Sequence, residues 1–395
     1  MAFQTTFICH SRGIQECLPR FNAVASMNIR SFQLRVSARN RYYDLIPQFI
    51  YRKEGRYQYS PVMPADLDGI GFIGWLPYFN KRWPAATDKL AFKEFCSENG
   101  LRTPRYSTKS ADHLNDCIIK QRHSSFGYNI RGPFKNLDRT EPQSLAGENE
   151  YYEEFIPGKI AKAWYLDDKL ACLEMQSMPT VIGDGAQSLT QLIANAVIPP
   201  HTVPERREFE ALARYQNVSP DEAIPVGKAL LADFRYGSPL FPATNQNQNV
   251  IAKHASTDAG RQFAEAGPVL WRSIPEDQRP STLYTADAIV DNEDRVWFLE
   301  MNCNPTVHPD AYFPMFERLF GPAQEAIPDG MPGPLAAATG VARPSGSPPP
   351  WSGPTTPPPP GVFAPGPGLP PPGTFPPSAP PPSSPPTAVP SLVPT

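Results

Sequence analysis

Two apolar segments near residue 300 limit what this chain can become: Tyr284-Thr-Ala-Asp-Ala-Ile-Val290 and Val296-Trp-Phe-Leu-Glu-Met-Asn302, joined by the polar stretch Asp291-Asn-Glu-Asp-Arg295. Apolar runs flanking a turn-rich stretch read as a β-hairpin. A turn centred on Glu293-Asp294 sets Asp287 opposite Glu300. Asn302 lies two residues beyond Glu300 and shares its face. Opposed carboxylates on a sheet repel, and Glu300 sits in an apolar context where an unpaired carboxylate is costly. A cation between them resolves both problems. Oxygen ligands without sulfur or imidazole favour a hard ion such as Mg²⁺, which with few protein ligands usually completes its shell from nucleotide phosphate. The other reading is a solvated hairpin face that carries acids.

The chain has 395 residues and a net charge of -3, close enough to neutral to give no electrostatic case for nucleic acid or an acidic membrane surface. About half of its 51 prolines fall after residue 331, where Arg343 is the only charged residue. Such a stretch cannot bury a core, so 331–395 is expected to be disordered or polyproline II. The folded part is therefore expected to be about 1–330, and the length suggests roughly two or three domains. The six cysteines show no paired spacing and suit buried thiols better than disulfides or zinc. With no signal-like N-terminus and no run long enough to span a membrane, a soluble cytoplasmic protein is expected.

Along the chain, Phe7–Cys9 and Ile29–Val36 read as strands, and Gly69–Trp75 as a buried strand ending in a turn. Thr87 or Asp88 caps a helix over Lys89–Glu98, stopped by Asn99-Gly100. Asp116–Lys120 reads as a strand, followed by the small-residue loop His123–Gly127. Glu153–Gly158 is a strand end with a turn, 162–173 a hairpin, and Thr180–Gly185 a turn. Ser188 caps a helix over Leu189–Ala196, and Thr257–Trp271 is helical. Residues 197–250 carry few periodic runs. Strands that come in adjacent pairs point to an α+β fold rather than a doubly wound parallel sheet.

Other residues carry potential chemistry. Lys120 ends an apolar strand beside Ser124, Ser125 and Gly127, where an ammonium and loop amides can hold phosphate oxygens; a surface strand end reads the same way. Lys89, in the first turn of its helix, is mildly disfavoured by the helix dipole, which hints at another use or a solvated side chain. The segment Glu153-Glu154-Phe155-Ile156 can offer backbone groups to a base edge, with Glu153 accepting from an amino group, or be an ordinary strand end. His254 and His308 lack partners at ligand spacing. Ser124 and Ser125 lack the Gly-x-Ser-x-Gly setting of a nucleophile.

In this order, Thr87–Pro104, Ile118–Lys120 with 124–127, Glu153–Gly158, Pro179–Gly185, and Asp287 with Glu300 and Asn302 resemble the ATP-grasp superfamily. Within it they look like the carboxylate–amine ligases, of the D-alanine–D-alanine ligase and cyanophycin synthetase type. The resemblance runs from about residue 87 to 310. It implies an α+β ATP-grasp fold over 87–330 gripping ATP between two lobes, preceded by a small α/β domain over 1–86. Lys89 and Lys120 would contact phosphates, with Ser124, Ser125 and Gly127 closing over them. Glu153, Glu154, Phe155 and Ile156 would hold adenine. Asp287, Glu300 and Asn302 would carry Mg²⁺, or Mn²⁺ in its place. The implied chemistry joins a small-molecule or peptide carboxylate to an amine through an acyl phosphate. A kinase-like phosphotransferase and a degenerate ATP-binding scaffold, whose tail recruits proline-recognising modules, are the alternatives. A homodimer is left open.

The chain departs from the family at three places. Thr285 stands where the ligases often have an arginine, so Arg235, Arg272 or Lys253 would have to substitute. Lys159-Ile160 stands where an acidic ribose-binding residue is usual. The phosphate loop has fewer glycines than usual.

Overall fold

The computed structural model describes residues 3–324, apart from 54–55, 64–70, 125–126, 128, 136–143, 198–202, 204–205, 237, 239 and 241–247. The proline-rich tail and Ser125 lie outside the described residues. Residues 1–329 form one compact unit.

The chain opens with a helix, α1 (Phe3–Arg20), then strands β1 (Val24–Met27), β2 (Leu34–Ala38), β3 (Arg41–Lys53), β4 (Arg56–Ser60) and β5 (Gly71–Leu76). β1 to β4 pair in sequence order and β5 adds to β3, all antiparallel. Phe7–Cys9, expected as a strand, lies inside α1. Three apolar residues cannot define a period, and the helix is fixed instead by Ile14 and Cys17, which with Phe21 are buried against Trp75, Tyr312 and Phe316. The second expected strand begins only at Leu34. Before it, Asn28 Oδ1 accepts from the Arg30 and Ser31 amides, and Phe32 takes φ +58. The buried strand expected near 69–75 is β5, with every residue buried.

Next come α2 (Pro84–Thr87) and α3 (Lys89–Glu98). The Asp88 carboxylate caps α3 by accepting from Leu90 N at 2.9 Å. Lys89 and Lys93 join Leu90, Phe92 and Cys96 on the buried side of α3, which is why its apolar period looks irregular. A sheet follows, from β6 (Tyr106–Ser107), β7 (Asp116–Gln121), β8 (Arg131–Lys135) and β9 (Glu150–Glu154), in the order β6-β9-β7-β8.

The hairpin β10 (Lys159–Leu166) and β11 (Lys169–Ser177) turns at Asp167, φ +53. β12 (Thr180–Ile182) occupies half of what reads as a turn, because it pairs with a distant strand. A Ser188–Gln191 capping box starts α4 (Leu189–Ala196). The unreadable stretch after it holds α5 (Arg206–Tyr215), β13 (Ala229–Leu231), which pairs with β12, and then α6 (Ile251–His254) begins. Thr257 caps α7 (Asp258–Arg272), and the hairpin β14 (Leu283–Val290) and β15 (Val296–Cys303) precedes the final helix, α8 (Tyr312–Phe320).

The central sheet runs β11-β10-β14-β15, all antiparallel. Alternation along β14 sends Tyr284, Ala286 and Ala288 into a core with Phe263, Ala266 and Leu270 of α7. The helix comes so close at Gly267 that a Cβ there would meet the Asp168 carbonyl at 2.3 Å. Asp287 and Ile289 are left for the opposite face. The cysteines are all free thiols, Cys17, Cys96, Cys117 and Cys172 buried, as their apolar contexts suggest.

Candidate functional site

The β14–β15 register sets Asp287 opposite Glu300 and Thr285 opposite Asn302, with a bulge after Asp287. The β10 pairings extend this row. Lys162 is opposite Asp287 on one side and Glu174 on the other. One line across the sheet therefore reads Glu174, Lys162, Asp287, Glu300. Lys162 Nζ lies 2.7 Å from Asp287 Oδ1, and the Asn302 amide donates to Asp287 Oδ2 at 3.2 Å.

α3 and the β6–β9 sheet bring in more lysines. Lys89 Nζ lies 2.9 Å from Glu300 Oε2 and donates to the Ser124 carbonyl. Lys120 on β7 and Glu153 on β9 are 3.1 Å apart. Lys93, one turn beyond Lys89, reaches the other Glu153 oxygen at 2.7 Å, with side chains only 0% and 1% exposed. Tyr151 OH donates to that same oxygen at 3.3 Å. The β7–β9 sheet thus faces the central sheet across a charged cleft.

The titrations follow from this crowding. Burial raises Glu300, but Lys89 and Lys120 more than offset it and hold the carboxyl below its usual range. Burial raises Asp287, and the adjacent Glu300 charge adds to this against the pull of Lys162. Burial would raise Glu153 too, yet Lys120 and Lys93 leave it lowered. Burial opposes the charge on Lys120, but Glu153, Glu300 and Asp287 keep its pKa raised. Two anions have thus been brought together by surrounding them with ammonium groups.

An apolar floor adjoins the charged row. Ile118, Ile160 and Ile289 lie two residues along their strands from Lys120, Lys162 and Asp287, so they share the same faces. They cluster with Phe155 and Met178, and Ile156, Phe234 and Tyr236 pack around them partly buried.

The structure thus brings Lys89, Lys120, Ser124, Glu153, Asp287, Glu300 and Asn302 together, with Phe155 and Ile156 in the apolar part. Four of the expected residues are engaged or placed elsewhere. The Glu153 carboxylate is held by two lysines, one on each oxygen. Glu154 points to the other side, where Arg105 grips it at 2.7 and 2.9 Å and Asn115 adds a third contact. Its amide donates to Arg105 O and that of Phe155 to Asp116 O, so those backbone donors serve the sheet instead of a base. Arg272 is exposed at the end of α7, on the face of the central sheet away from Asp287. Lys253 is exposed on α6. Arg235 does come near the loop: it bonds Asp233 at 2.9 Å, and a Cβ on Gly127 would lie 3.4 Å from its side chain. Thr285 is fully buried, and its hydroxyl finds no hydrogen-bond partner among the described residues.

Lys93, Lys162 and Glu174 carry no motif. Lys93 is legible only as the i+4 neighbour of Lys89. Lys162 and Glu174 need the β10 pairings to be known first. His308, expected to be structural or at the surface, is buried, with Nε2 3.6 Å from Glu174.

Asp287, Glu300 and Asn302 offer two carboxylates and an amide, all oxygen donors, which suits a hard cation with few protein ligands. Among the described residues no group of three or more His, Cys, Asp or Glu could hold a metal. None of the helices searched is long and apolar enough to cross a membrane.

No protein-family model matches the chain. No curated protein sequence matches it. Solved structures with some likeness include a bifunctional glutathione synthetase from Pasteurella multocida: 11% identity, 79% of this chain and 44% of that one covered, TM-score 0.38. A D-alanine–D-alanine ligase from Bacillus anthracis complexed with ATP is 11% identical over 60% of this chain and 65% of that one, TM-score 0.28. The ATP-grasp ligase PsnB is 14% identical over 58% of this chain and 55% of that one, TM-score 0.27. The chain spans less than two thirds of each neighbour's length. These are ligases of the kind its motifs resemble.

Proposed function

We propose that the cleft binds ATP with Mg²⁺ in an ATP-grasp arrangement and joins a carboxylate to an amine. The observation that carries this reading is the convergence of Lys89, Lys120, Asp287, Glu300 and Asn302, from four separate elements, beside an apolar floor. Lys89 and Lys120 would offset charge on the phosphates, and a water-poor cleft makes each ammonium worth more than in water. Glu153, held by Lys93, would fix the Lys120 ammonium toward Glu300. Ile118, Phe155, Ile156 and Ile289 would pack against the base. Asp287, Glu300 and Asn302 would hold the divalent ion, which supplies charge neutralisation at the transferring phosphoryl group.

The reaction proceeds in two steps. A carboxylate oxygen of the first substrate attacks the γ-phosphorus, and the bond to the β-γ bridging oxygen breaks to release ADP. The amine nitrogen of the second then attacks the acyl carbon, inorganic phosphate leaves, and the nitrogen gives up a proton. No enzyme nucleophile is required.

One observation favours a second reading. Thr285 puts no positive charge beside the acyl carbon, so a chain that stops at phosphoryl transfer, as a kinase does, fits the same cleft. Arg235, near Gly127, is the remaining candidate to replace that charge. ADP release from purified protein, screened over carboxylate and amine pairs, separates the readings. Release that requires both partners supports ligation. A phosphorylated product without an amine supports the kinase. Absence of ATP binding overturns both.

A further inference from the structure

The row Glu174, Lys162, Asp287, Glu300 places an ammonium directly against one of the two carboxylates that would hold metal. Lys162 Nζ is 2.7 Å from Asp287 Oδ1, and its side chain is 11% exposed. It is held from several directions. Its Nζ lies 4.7 Å from the centre of the Tyr236 ring and 5.9 Å from that of Trp164. Tyr236 is itself anchored, its hydroxyl donating to Glu174 Oε2 at 2.8 Å. This is a fixed cation, not a lysine free to swing into water.

We propose that Lys162 takes the place of a second metal ion, so that the cleft accepts one divalent cation beside the nucleotide. The inference rests on the nucleotide-binding reading above. In two-metal sites the ions sit about 3.5–4 Å apart and share carboxylates. Neighbouring strands are about 4.8 Å apart, so Asp287 can meet one cation on its Glu300 side and another on its Lys162 side. The Glu300 side offers Glu300 Oε1, since Lys89 holds only Oε2, and the Asn302 side-chain oxygen. On the other side the ammonium already lies against Oδ1. A metal ion there would have to displace a buried charge and then repel it. Lys162 therefore provides part of the neutralisation that a second ion would bring, and limits the metal to one position.

The test uses the full chain with Mn²⁺ and a non-hydrolysable ATP analogue, read by electron paramagnetic resonance. Two Mn²⁺ ions a few Å apart couple magnetically, whereas a lone ion does not. The native protein is expected to give an uncoupled spectrum with one bound ion per chain. Lys162→Met removes the charge and keeps the length; it should give a coupled pair and two ions. Lys162→Arg keeps the charge and should behave as the native protein does. If Lys162→Met does not fold, Lys162→Gln reports the same change. A coupled pair in the native protein overturns the inference while leaving the nucleotide site standing. So does a single ion in both charge-removing variants. If the native protein does not bind the analogue at all, the nucleotide reading falls and this inference falls with it.

Discussion

Two regions of this molecule bury ionisable side chains, and they do so in opposite ways. Under α1, His10 lies 3.1 Å from Tyr312 OH, its ring packed edge-on to Phe72. Burial, reinforced by the nearby His308, lowers its pKa to about 3, so at neutral pH no charge is buried there. In the cleft, Lys93, Glu153 and Lys120 are just as enclosed, yet they hold one another: the lysines keep the Glu153 carboxyl below its usual range and the carboxylates keep Lys120 above its own, while burial lowers Lys93 against the pull of Glu153. A core that needs only stability discharges its polar groups or replaces them with apolar ones, because buried ion pairs rarely repay their desolvation. The cleft does neither. Its four lysines, Lys89, Lys93, Lys120 and Lys162, face four carboxylates, Glu153, Glu174, Asp287 and Glu300, an arrangement that fits the proposed binding of an anion together with its cation.

The largest effect should come from breaking the charge chain at its centre. Glu153→Ala leaves Lys93 and Lys120 facing each other without the carboxylate between them. Removing one partner of a buried ionic network costs about 3–5 kcal/mol, to be read by urea denaturation. Adding Lys93→Met should recover part of the loss, since one uncompensated charge is then gone. A loss below about 1 kcal/mol, in the range of exposed pairs, would mean that the cleft is wetter than its burial indicates, and the contrast with His10 would collapse.

Second in size is Glu300→Gln, which keeps shape and removes charge. Deleting one group that stabilises a transition state typically costs about 10²–10³ in rate, or 2.7–4 kcal/mol. ADP release should fall at least that far while circular dichroism stays native. Unchanged turnover would remove the metal assignment and, with it, the functional reason for keeping charges in the cleft.

How much of this was readable from the chain depends on how local each signal is. Asp287 and Glu300 are joined by a short turn, which makes the hairpin legible, but the pairs nearest the turn, Val290 with Val296 to Ala288 with Phe298, lie one residue off the register of a turn centred on Glu293-Asp294, and it is the bulge between Ala288 and Asp287 that sets Asp287 opposite Glu300. The α3 helix and its Asp88 cap are equally local. Lys93 was hidden because its helix turns two lysines inward, which looks like a poor apolar period. Lys162 joins Asp287 only through β10–β14 pairing, across more than a hundred residues, and no local pattern encodes that. Glu153 reads as a ligand for the base because a carboxylate at a strand end implies a solvent-facing acceptor. Only the fold reveals the two lysines that occupy it. The α5 and β13 elements were missed because their partners are likewise distant.

Third comes the pH response of the neutral region. His10 has a folded pKa of about 3, below its unfolded value of 6.5. Between those values the unfolded chain binds the extra proton, so stability rises with pH through this window and falls as acid is added. At about 1.4 kcal/mol per pKa unit, roughly 3.5 kcal/mol of the contribution present above pH 6.5 is lost between pH 6.5 and pH 4. Denaturation midpoints between pH 7 and pH 4 should therefore drop more steeply for the native protein than for His10→Leu. Equal slopes would show that the ring is not buried uncharged.

The smallest expected effect tests whether these contrasts are local. Ser188 caps α4 by accepting from Gln191 N at 3.3 Å, while the Gln191 side chain accepts from Ser188 N at 2.9 Å. It touches neither His10 nor the charged row. Loss of such a cap costs about 1 kcal/mol, so Ser188→Ala should lower the denaturation midpoint slightly. It should leave the pH slope and the ADP-release rate as they are. Had the changes at Glu153, Glu300 and His10 merely reported overall loosening, a loss of stability anywhere would shift the same readouts in proportion. A Ser188→Ala protein that flattened the pH profile or slowed ADP release would therefore undo the distinction between the two regions. A protein weakened only in its midpoint ties each readout to its own buried group.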